Sequence, residues 1–293
     1  MNYRIEIQPP DISAYRRGNA GVDYVHVLDS RKPGPNVMVQ ALTHGNEFSG
    51  AIALDFLFKE QIKPLKGKLT LAFANVAAFA RFDFNDPDRS RFIDEDYNRV
   101  WADAVIGGSR DSAELRRARE LRPFVDAADY LLDLHTMTEP CRPIMVCGML
   151  DKGAELARRV GVPADLLIDT GHPAGLRMRD RGGFGDPASP KNALLIEAGQ
   201  HWEKSSVDVA IDTTLRFLKV TGTVDPAWAD APLWMKAPEK QRVVRVTEPV
   251  TAQSEDFRRA LEEVCARDVV VVLPLSAGDA IEYVEIGLGG RKT

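Results

Sequence analysis

The chain has 293 residues, of which 44% are hydrophobic and 28% are charged, an ordinary composition for a globular protein. Its net charge of −5 argues against a nucleic-acid-binding protein, for which a basic surface is expected. The three cysteines, Cys141, Cys147 and Cys265, show no CxxC spacing, which excludes a disulfide-rich scaffold and an all-cysteine zinc knuckle. No apolar run reaches the ~18 residues of a membrane helix and no signal-peptide pattern is visible, so we expect a cytoplasmic protein.

Short β-branched runs alternate with amphipathic stretches along the chain, which is the pattern of an α/β protein. In chain order, the predicted strands lie at residues 22–28, 37–42, 69–74, 130–134, 144–147 and 193–196. The predicted helices lie at residues 50–61, 112–124, 152–160 and 206–220. Several strands are apolar on both faces, which is typical of the central strands of a covered, mixed or mainly parallel sheet.

Linker composition predicts a domain boundary near residues 222–238. Gly222 is followed there by Pro226, Pro232 and Pro238. We therefore expect an α/β domain at residues 1–224 and a small C-terminal domain at 225–293. The smaller part has predicted strands at 242–246, 269–273 and 280–286 and a charged helical stretch at 254–266.

A histidine and a glutamate lie three residues apart directly after the second predicted strand. His44 and Glu47 fall on a strand-to-helix turn at the carboxyl end of that strand, the edge at which α/β sheets bind ligands. Together they can bind one cation, and Gly45 allows a tight turn. His44 alone could equally be a capping or core histidine. A second match, His26 to Asp29, lies inside a predicted strand, where residues three apart point to opposite faces.

A third candidate ligand follows another apolar run. His135 comes directly after residues 130–134, again at the carboxyl end of a strand. Two histidines and one carboxylate leave a coordination position open for water, which is the arrangement of a catalytic zinc site. Asp133 points to the same side of the strand and can accept a hydrogen bond from His135. The alternative is a loop histidine satisfied by backbone groups.

Glu197 closes the strongly apolar run at 193–196 and is followed by Gly199. A carboxylate in that position is costly unless it is paired or functional. Beside a metal-activated water it would be a general base, which takes a proton during attack and returns it to the leaving amine. The alternative is a strand-end glutamate in a salt bridge.

Asn98 and Arg99 are adjacent and suit the binding of a substrate carboxylate. A guanidinium can make two parallel hydrogen bonds to the carboxylate, and the amide adds another donor. The surrounding residues 91–99 are rich in acids and arginines. An ion-pair cluster on the surface is therefore the alternative.

Four blocks of the chain, in this order, resemble the succinylglutamate desuccinylase/aspartoacylase family, whose fold is that of the zinc carboxypeptidases. They are His44-Gly-Asn-Glu47, the stretch 94–99 that ends in Asn98-Arg99, Asp133-Leu-His135 and Ile196-Glu197-Ala-Gly199. The stretch 113–120, AELRRARE, also looks like the family's helix between its second and third motifs. The resemblance covers about residues 37–220.

The resemblance implies a three-layer α/β/α sandwich with a mixed, mainly parallel sheet, and a small C-terminal β-rich domain beside the site. It implies one zinc ion per chain, bound by His44, Glu47 and His135, with Glu197 as the catalytic base. It also implies hydrolysis of the amide of a small N-acyl amino acid, whose carboxylate Asn98 and Arg99 bind. The expected partner is this small molecule rather than nucleic acid or a membrane, and the oligomeric state, a homo-oligomer included, stays open.

The chain departs from the family pattern in two places. The family has Asn-Pro-Arg after its third strand, but this chain has Asn75-Val-Ala, so the arginine that contacts substrate is missing. Arg81 and Arg91 are candidate replacements, and Arg81 is included in the predicted substrate site. The arginine-rich stretch 176–184 is either a substrate loop with glycine hinges or a solvated surface loop. These departures leave the identity of the acyl group open.

Two rival functions fit parts of the pattern. A carboxypeptidase acting on peptides would use the same zinc and the same carboxylate clamp, and a long open cleft would favour it. A non-catalytic binding protein with a relic metal site is disfavoured, because all four proposed metal and base residues are present. Cys141 and Cys147 flank an apolar strand and are predicted to be packing residues rather than nucleophiles.

Overall fold

The computed structural model describes residues 4–169, 171–172, 174–230 and 237–246. Within those ranges, the strands are β1 (Val25–Asp29), β2 (Asn36–Ala41), β3 (Lys68–Phe73), β4 (Tyr130–Met137), β5 (Ile144–Val146), β6 (Asp165–Ile168), β7 (Asn192–Gln200) and β8 (Arg242–Arg245). The helices are α1 (Ser49–Lys59), α2 (Val76–Phe79), α3 (Asp103–Ile106), α4 (Ala113–Ala127), α5 (Asp151–Val160), α6 (Lys204–Val220) and α7 (Pro226–Asp230).

The strands form one mixed sheet in the order β1-β3-β2-β4-β7-β5-β6-β8. The central strands β3, β2, β4 and β7 are parallel to one another, whereas β1 and β5 run antiparallel to their neighbours β3 and β7. Because β2, β4 and β7 run in the same direction, their carboxyl ends lie at one edge of the sheet. That edge is where the sequence predicts the metal and base residues.

Successive strand residues point to opposite faces of the sheet, and helices cover both of these faces. One face packs against α1, α5 and α6 through buried residues such as Leu54, Leu156 and Leu215. The other face packs against α4 through Leu115 and Leu121. The three-layer α/β/α sandwich is therefore confirmed. None of the helices in the described ranges combines the length and the apolar character that crossing a membrane requires.

The two central strands are longer than the apolar runs that predicted them. β4 extends past His135 to Met137, and β7 extends past Glu197 to Gln200. Polar residues normally indicate that a strand has ended. Here the ladder between β4 and β7 continues through the pair His135 and Glu197, and both side chains are buried. The predicted strand ends are therefore too early, because these polar side chains are buried inside the protein instead of facing solvent.

The described part of the C-terminal region joins the main sheet. β8 lies within 225–293, the range predicted as a small second domain, and pairs in parallel with β6 at the sheet edge. The predicted elements at 254–266, 269–273 and 280–286, and Cys265, lie outside the described residues. The division into two domains therefore stays a prediction.

The centre of the sheet provides a test of this topology. Leu132 is fully buried in β4, between β2 and β7. Leu132→Ala should lower the free energy of unfolding by about 2–5 kcal/mol, because it leaves a cavity in the core. The same change at Leu65, which is 45% exposed, should cost less than about 0.5 kcal/mol. Equal urea midpoints for the two variants would contradict the central placement of β4.

Candidate metal centre

The turn between β2 and α1 carries the His-x-x-Glu motif and is tightly constrained. Leu42 has φ 59°, a left-handed conformation that bulky residues rarely adopt and that concentrates at functional sites. At Gly45 a Cβ atom would lie 2.3 Å from the Ser90 carbonyl oxygen and 2.4 Å from the Phe79 nitrogen. Gly45 N–H also donates to the Arg91 carbonyl oxygen at 3.0 Å. A glycine is therefore required here by close backbone packing, not by a left-handed backbone conformation.

His44, Glu47 and His135 converge in the buried space at this edge of the sheet. His44 Nδ1 lies 2.7 Å from Glu47 Oε1, and His135 Nδ1 lies 3.0 Å from Glu47 Oε2. One ligand atom from each residue lies within 4.8 Å of the other two, so the group could hold a metal ion. Two imidazole nitrogens and one carboxylate are the three protein ligands of a common class of catalytic zinc site.

The second ring nitrogen of each histidine faces a carboxylate. His44 Nε2 lies 3.1 Å from Asp96 Oδ1, and His135 Nε2 lies 2.9 Å from Asp133 Oδ2. The Thr43 hydroxyl donates to the other oxygen of Asp133 at 2.7 Å. A proton shared at each Nε2 leaves the Nδ1 lone pair for a metal and fixes the ring orientation. The residues present therefore fit a zinc ion.

Electrostatic interactions within the cluster shift the pKa values of its members. Burial alone would lower the pKa of His135, but the carboxylates of Asp133 and Glu47 outweigh it and raise that pKa well above the ordinary value. The pKa of His44 is also raised despite burial, by Glu47 and Asp96. Burial would raise the pKa of Glu47, yet the two histidines hold it well below its usual range. The metal-free cluster therefore retains protons that a metal must displace.

The structure brings Arg91, and not Arg81, to the candidate metal ligands. Arg91 Nη1 lies 3.3 Å from Glu47 Oε1, and Nη2 lies 3.6 Å from Asp96 Oδ2. Arg81 is exposed just beyond α2, and among the described residues its side chain makes no hydrogen bond or ion pair with the cluster. A substrate role for Arg81 stays a prediction. The sequence alone could not show which of the two arginines lies near the cluster. The hydrogen bond from Gly45 N–H to the Arg91 carbonyl, which places Arg91 there, forms only in the folded protein.

Asn98 and Arg99 lie in a short 3-10 turn that Asp96 holds next to the cluster. Asp96 Oδ1 accepts from Asn98 N–H at 2.7 Å and also faces His44 Nε2. Asn98 is buried, and its Oδ1 accepts from Met178 N–H at 3.0 Å. Arg99 Nη1 donates to the Asn98 carbonyl at 3.0 Å, and Nη2 lies 3.9 Å from Asp96 Oδ2. The predicted carboxylate-binding pair is thus connected to the metal ligands through one aspartate.

Glu197 lies on the same face of the sheet as His135. The two residues are in-register neighbours on β7 and β4, strands that lie about 4.8 Å apart. Glu197 is buried, at 5% exposure. Burial, with a smaller contribution from the Glu197 carboxylate, raises the pKa of the Cys141 thiol to about 12. Cys141 is therefore a poor nucleophile, whereas Glu197 lies in register with His135.

The arginine-rich stretch 176–184 is buried, so the expectation of a solvated loop is wrong. Its three arginines, Arg177, Arg179 and Arg181, are each 5% exposed or less. Both Arg177 amino groups donate to Asp169 at 2.7 Å, and Arg181 Nε donates to Asp126 at 2.7 Å. Pairing with these carboxylates allows the arginine side chains to be buried inside the protein. The sequence could not show this, because Arg181 and Asp126 are 55 positions apart.

A sequence profile of the succinylglutamate desuccinylase/aspartoacylase catalytic domain matches residues 33–219. A comparison with curated proteins finds no match. The profile match confirms the resemblance drawn from the four sequence blocks.

Solved structures share the fold. The succinylglutamate desuccinylase of Vibrio parahaemolyticus is 14% identical, with a TM-score of 0.58 over 89% of this chain and 76% of that one. The succinylglutamate desuccinylase of Chromobacterium violaceum is 19% identical, with a TM-score of 0.50 over 67% of this chain and 64% of that one. A succinylglutamate desuccinylase/aspartoacylase of Rhodobacter sphaeroides is also 19% identical, with a TM-score of 0.53 over 69% of this chain and 58% of that one. The chain thus spans less than two thirds of the length of the last two structures, and at these identities the likeness concerns the fold alone.

Zinc binding should depend strongly on pH. The ion must displace protons from His44 and His135, whose pKa values are raised. The apparent affinity should therefore level off above those raised pKa values and fall below them, by up to ~tenfold per pH unit for each displaced proton. The decline should begin at a higher pH than for an ordinary histidine, with a pKa of about 6.5.

A competition titration with a chromophoric chelator measures this dependence. The variant His26→Ala, whose histidine lies away from the cluster on β1, should show the wild-type profile. An affinity for zinc that does not change with pH would contradict the proton-bearing cluster.

Proposed function

Because the chain belongs to the succinylglutamate desuccinylase/aspartoacylase family, we propose that it is a zinc-dependent amidohydrolase that removes the acyl group from a small N-acyl amino acid. The observation that carries this proposal is the convergence of His44, Glu47 and His135 in one buried group. Glu197, on the same sheet face as His135, and the pair Asn98–Arg99, connected to His44 through Asp96, complete the proposed site for metal-assisted amide hydrolysis.

The metal would be held by the Nδ1 atoms of His44 and His135 and by the Glu47 carboxylate. When bound, a zinc ion supplies Lewis acidity, which polarises a carbonyl group and lowers the pKa of water toward ~7. Asp96 and Asp133 keep both imidazole rings oriented through their Nε2 atoms.

Glu197 is the proposed general base. It accepts one proton from the attacking water and delivers it to the amide nitrogen, as the carbon–nitrogen bond breaks. The water oxygen forms the new carbon–oxygen bond, so that the products are a carboxylic acid and a free amino acid. Its place in register with His135 keeps the carboxylate beside the ligands, and its burial excludes competing bulk water.

Arg91 is placed to stabilise the negative charge that develops on the substrate carbonyl oxygen. Its guanidinium lies within 3.3 Å of the ligand Glu47 and is 19% exposed, so it acts where water screens charges weakly. We therefore assign to Arg91 the arginine function that the missing Asn-Pro-Arg motif left open.

Asn98 and Arg99 are proposed to bind the carboxylate of the amino-acid moiety. The hydrogen bond from Met178 N–H to Asn98 Oδ1 orients the side-chain amide, whose Nδ2 is the donor proposed for the carboxylate. Arg99 adds a guanidinium that is 11% exposed and close to Asp96. Fixing the carboxylate places the scissile amide at one distance from the proposed metal ligands.

The role of Glu197 can be tested with an isosteric variant. Glu197→Gln preserves the shape of the side chain but cannot accept the proton, so kcat should fall by ~10²-fold or more. Zinc content should not change, because Glu197 is not a ligand. Hydrolysis of a panel of N-acyl amino acids, followed by amine release, measures the effect.

Glu155→Gln, a change on the exposed side of α5, serves as the matched control and should keep wild-type turnover. Wild-type turnover in Glu197→Gln would rule out the base assignment. A zinc-loaded wild type that hydrolyses no member of the panel would contradict the proposed function itself.

A further inference from the structure

We propose that Glu114 is a positioning residue for substrate binding, which fixes the backbone of residues 93–95 and through it the segment that contains Arg91, Asn98 and Arg99. The inference rests on the proposed function, because it concerns the residues assigned there to the substrate. Glu114 lies in the first turn of α4 and is fully buried. It touches none of the proposed metal ligands through the hydrogen bonds of the described residues.

The Glu114 carboxylate accepts four hydrogen bonds. Oε1 accepts from Ile93 N–H at 2.7 Å and from Asn75 Nδ2 at 2.9 Å. Oε2 accepts from Asp94 N–H at 3.1 Å and from Glu95 N–H at 3.3 Å. An ionised carboxylate offers about four lone-pair sites, so three consecutive backbone amides and one side chain occupy them all. A buried carboxylate is tolerated only with such compensation, and the loop supplies most of it.

The loop and the helix hold each other reciprocally. Asp94 donates its N–H to Glu114, and its Oδ2 accepts from Ala113 N–H at 2.7 Å, at the start of α4. The helix has a separate N-cap, Ser112, whose Oγ accepts from Leu115 N–H at 3.0 Å. The helix can therefore be weakened at Ser112 without breaking the bonds between Glu114 and the loop.

The residues on both sides of the anchored amides reach the site. Arg91, two positions before Ile93, contacts Glu47, and Asp96, directly after Glu95, contacts His44. Asn98 and Arg99 follow within the same segment. The metal ligands themselves come from other elements, the turn after β2 and strand β4. Loss of the anchor should therefore disturb substrate binding while the ligand set persists.

Asn75 supplies a second observation. It is the first residue of the position where the family has Asn-Pro-Arg, and this chain keeps only the asparagine. Its Nδ2 donates to Glu114, and its Oδ1 accepts from Ala78 N–H at 3.3 Å at the start of α2. The Asn75 amide nitrogen therefore binds Glu114, and the amide oxygen caps α2. This accounts for an asparagine here without the proline and arginine.

The test compares the N-acyl amino acid that the wild type hydrolyses best in the panel with its α-carboxamide, which lacks the carboxylate that the proposed clamp binds. In the zinc-loaded wild type, kcat/KM should favour the carboxylate. Glu114→Gln places an NH2 group against backbone N–H donors, so the segment loses its anchor. The preference should fall about tenfold or more, through KM, with zinc content unchanged. Hydrogen–deuterium exchange of residues 91–99, which needs no substrate, should become faster.

Ser112→Ala is the matched control, because it weakens the same helix and leaves Glu114 in place. It should keep the preference and the slow exchange of residues 91–99. The proposal would be overturned if Glu114→Gln kept both the wild-type preference for the carboxylate substrate and the wild-type exchange of residues 91–99. It would also be overturned if Ser112→Ala lost that preference to the same extent. If Glu114→Gln does not fold, Asn75→Ala removes one of the four donors and should give a smaller change in the same direction. No change in Asn75→Ala would then count against the anchor.

A zinc-loaded wild type that hydrolyses no member of the N-acyl amino acid panel would instead overturn the proposed function. The exchange of residues 91–99 would still decide whether Glu114 holds the segment. The two failures are therefore distinguishable.

Discussion

The Glu47 carboxylate is the group on which the arrangement of the site depends. Each of its oxygens faces the Nδ1 atom of a different histidine, at 2.7 Å and 3.0 Å. It therefore sets the spacing of two rings that come from different parts of the sheet. A buried carboxylate is costly unless its hydrogen-bond partners stay in place, so the backbone must hold the two imidazole rings beside it. The parallel pairing of β2 and β4, and the close packing at Gly45, meet that requirement.

Charged groups, some buried and some partly exposed, surround this centre. Asp133 and Asp96 contact the two histidines, and Arg91 bridges Glu47 and Asp96. In α4, Arg117 is buried and donates to the carbonyl oxygens of Phe73 and Ala74, at the end of β3. Such groups are rarely buried without partners, because desolvation costs more than a single contact returns. Charge pairs of this kind add little net stability.

Much of the fold, and the convergence of the three candidate metal ligands, could be predicted from the sequence. The central strands are apolar on both faces, and His44, Glu47 and His135 follow two of them, so the direction of the chain was enough to place the ligands at one edge. β6 was missed because only three apolar residues separate Asp165 from Asp169, too few to distinguish a strand. The burial of Arg181 and the approach of Arg91 to Glu47 could not be predicted either. Their carboxylate partners are distant in sequence, Asp126 by 55 positions and Glu47 by 44 positions.

The metal content of the purified protein tests the central claim most directly. Elemental analysis after zinc is supplied should give about one zinc per chain in the wild type and in His26→Ala, and none in His135→Ala. Circular dichroism should show that His135→Ala still folds. A wild type without zinc, or a His135→Ala variant that keeps a full equivalent, would contradict a site built on His44, Glu47 and His135.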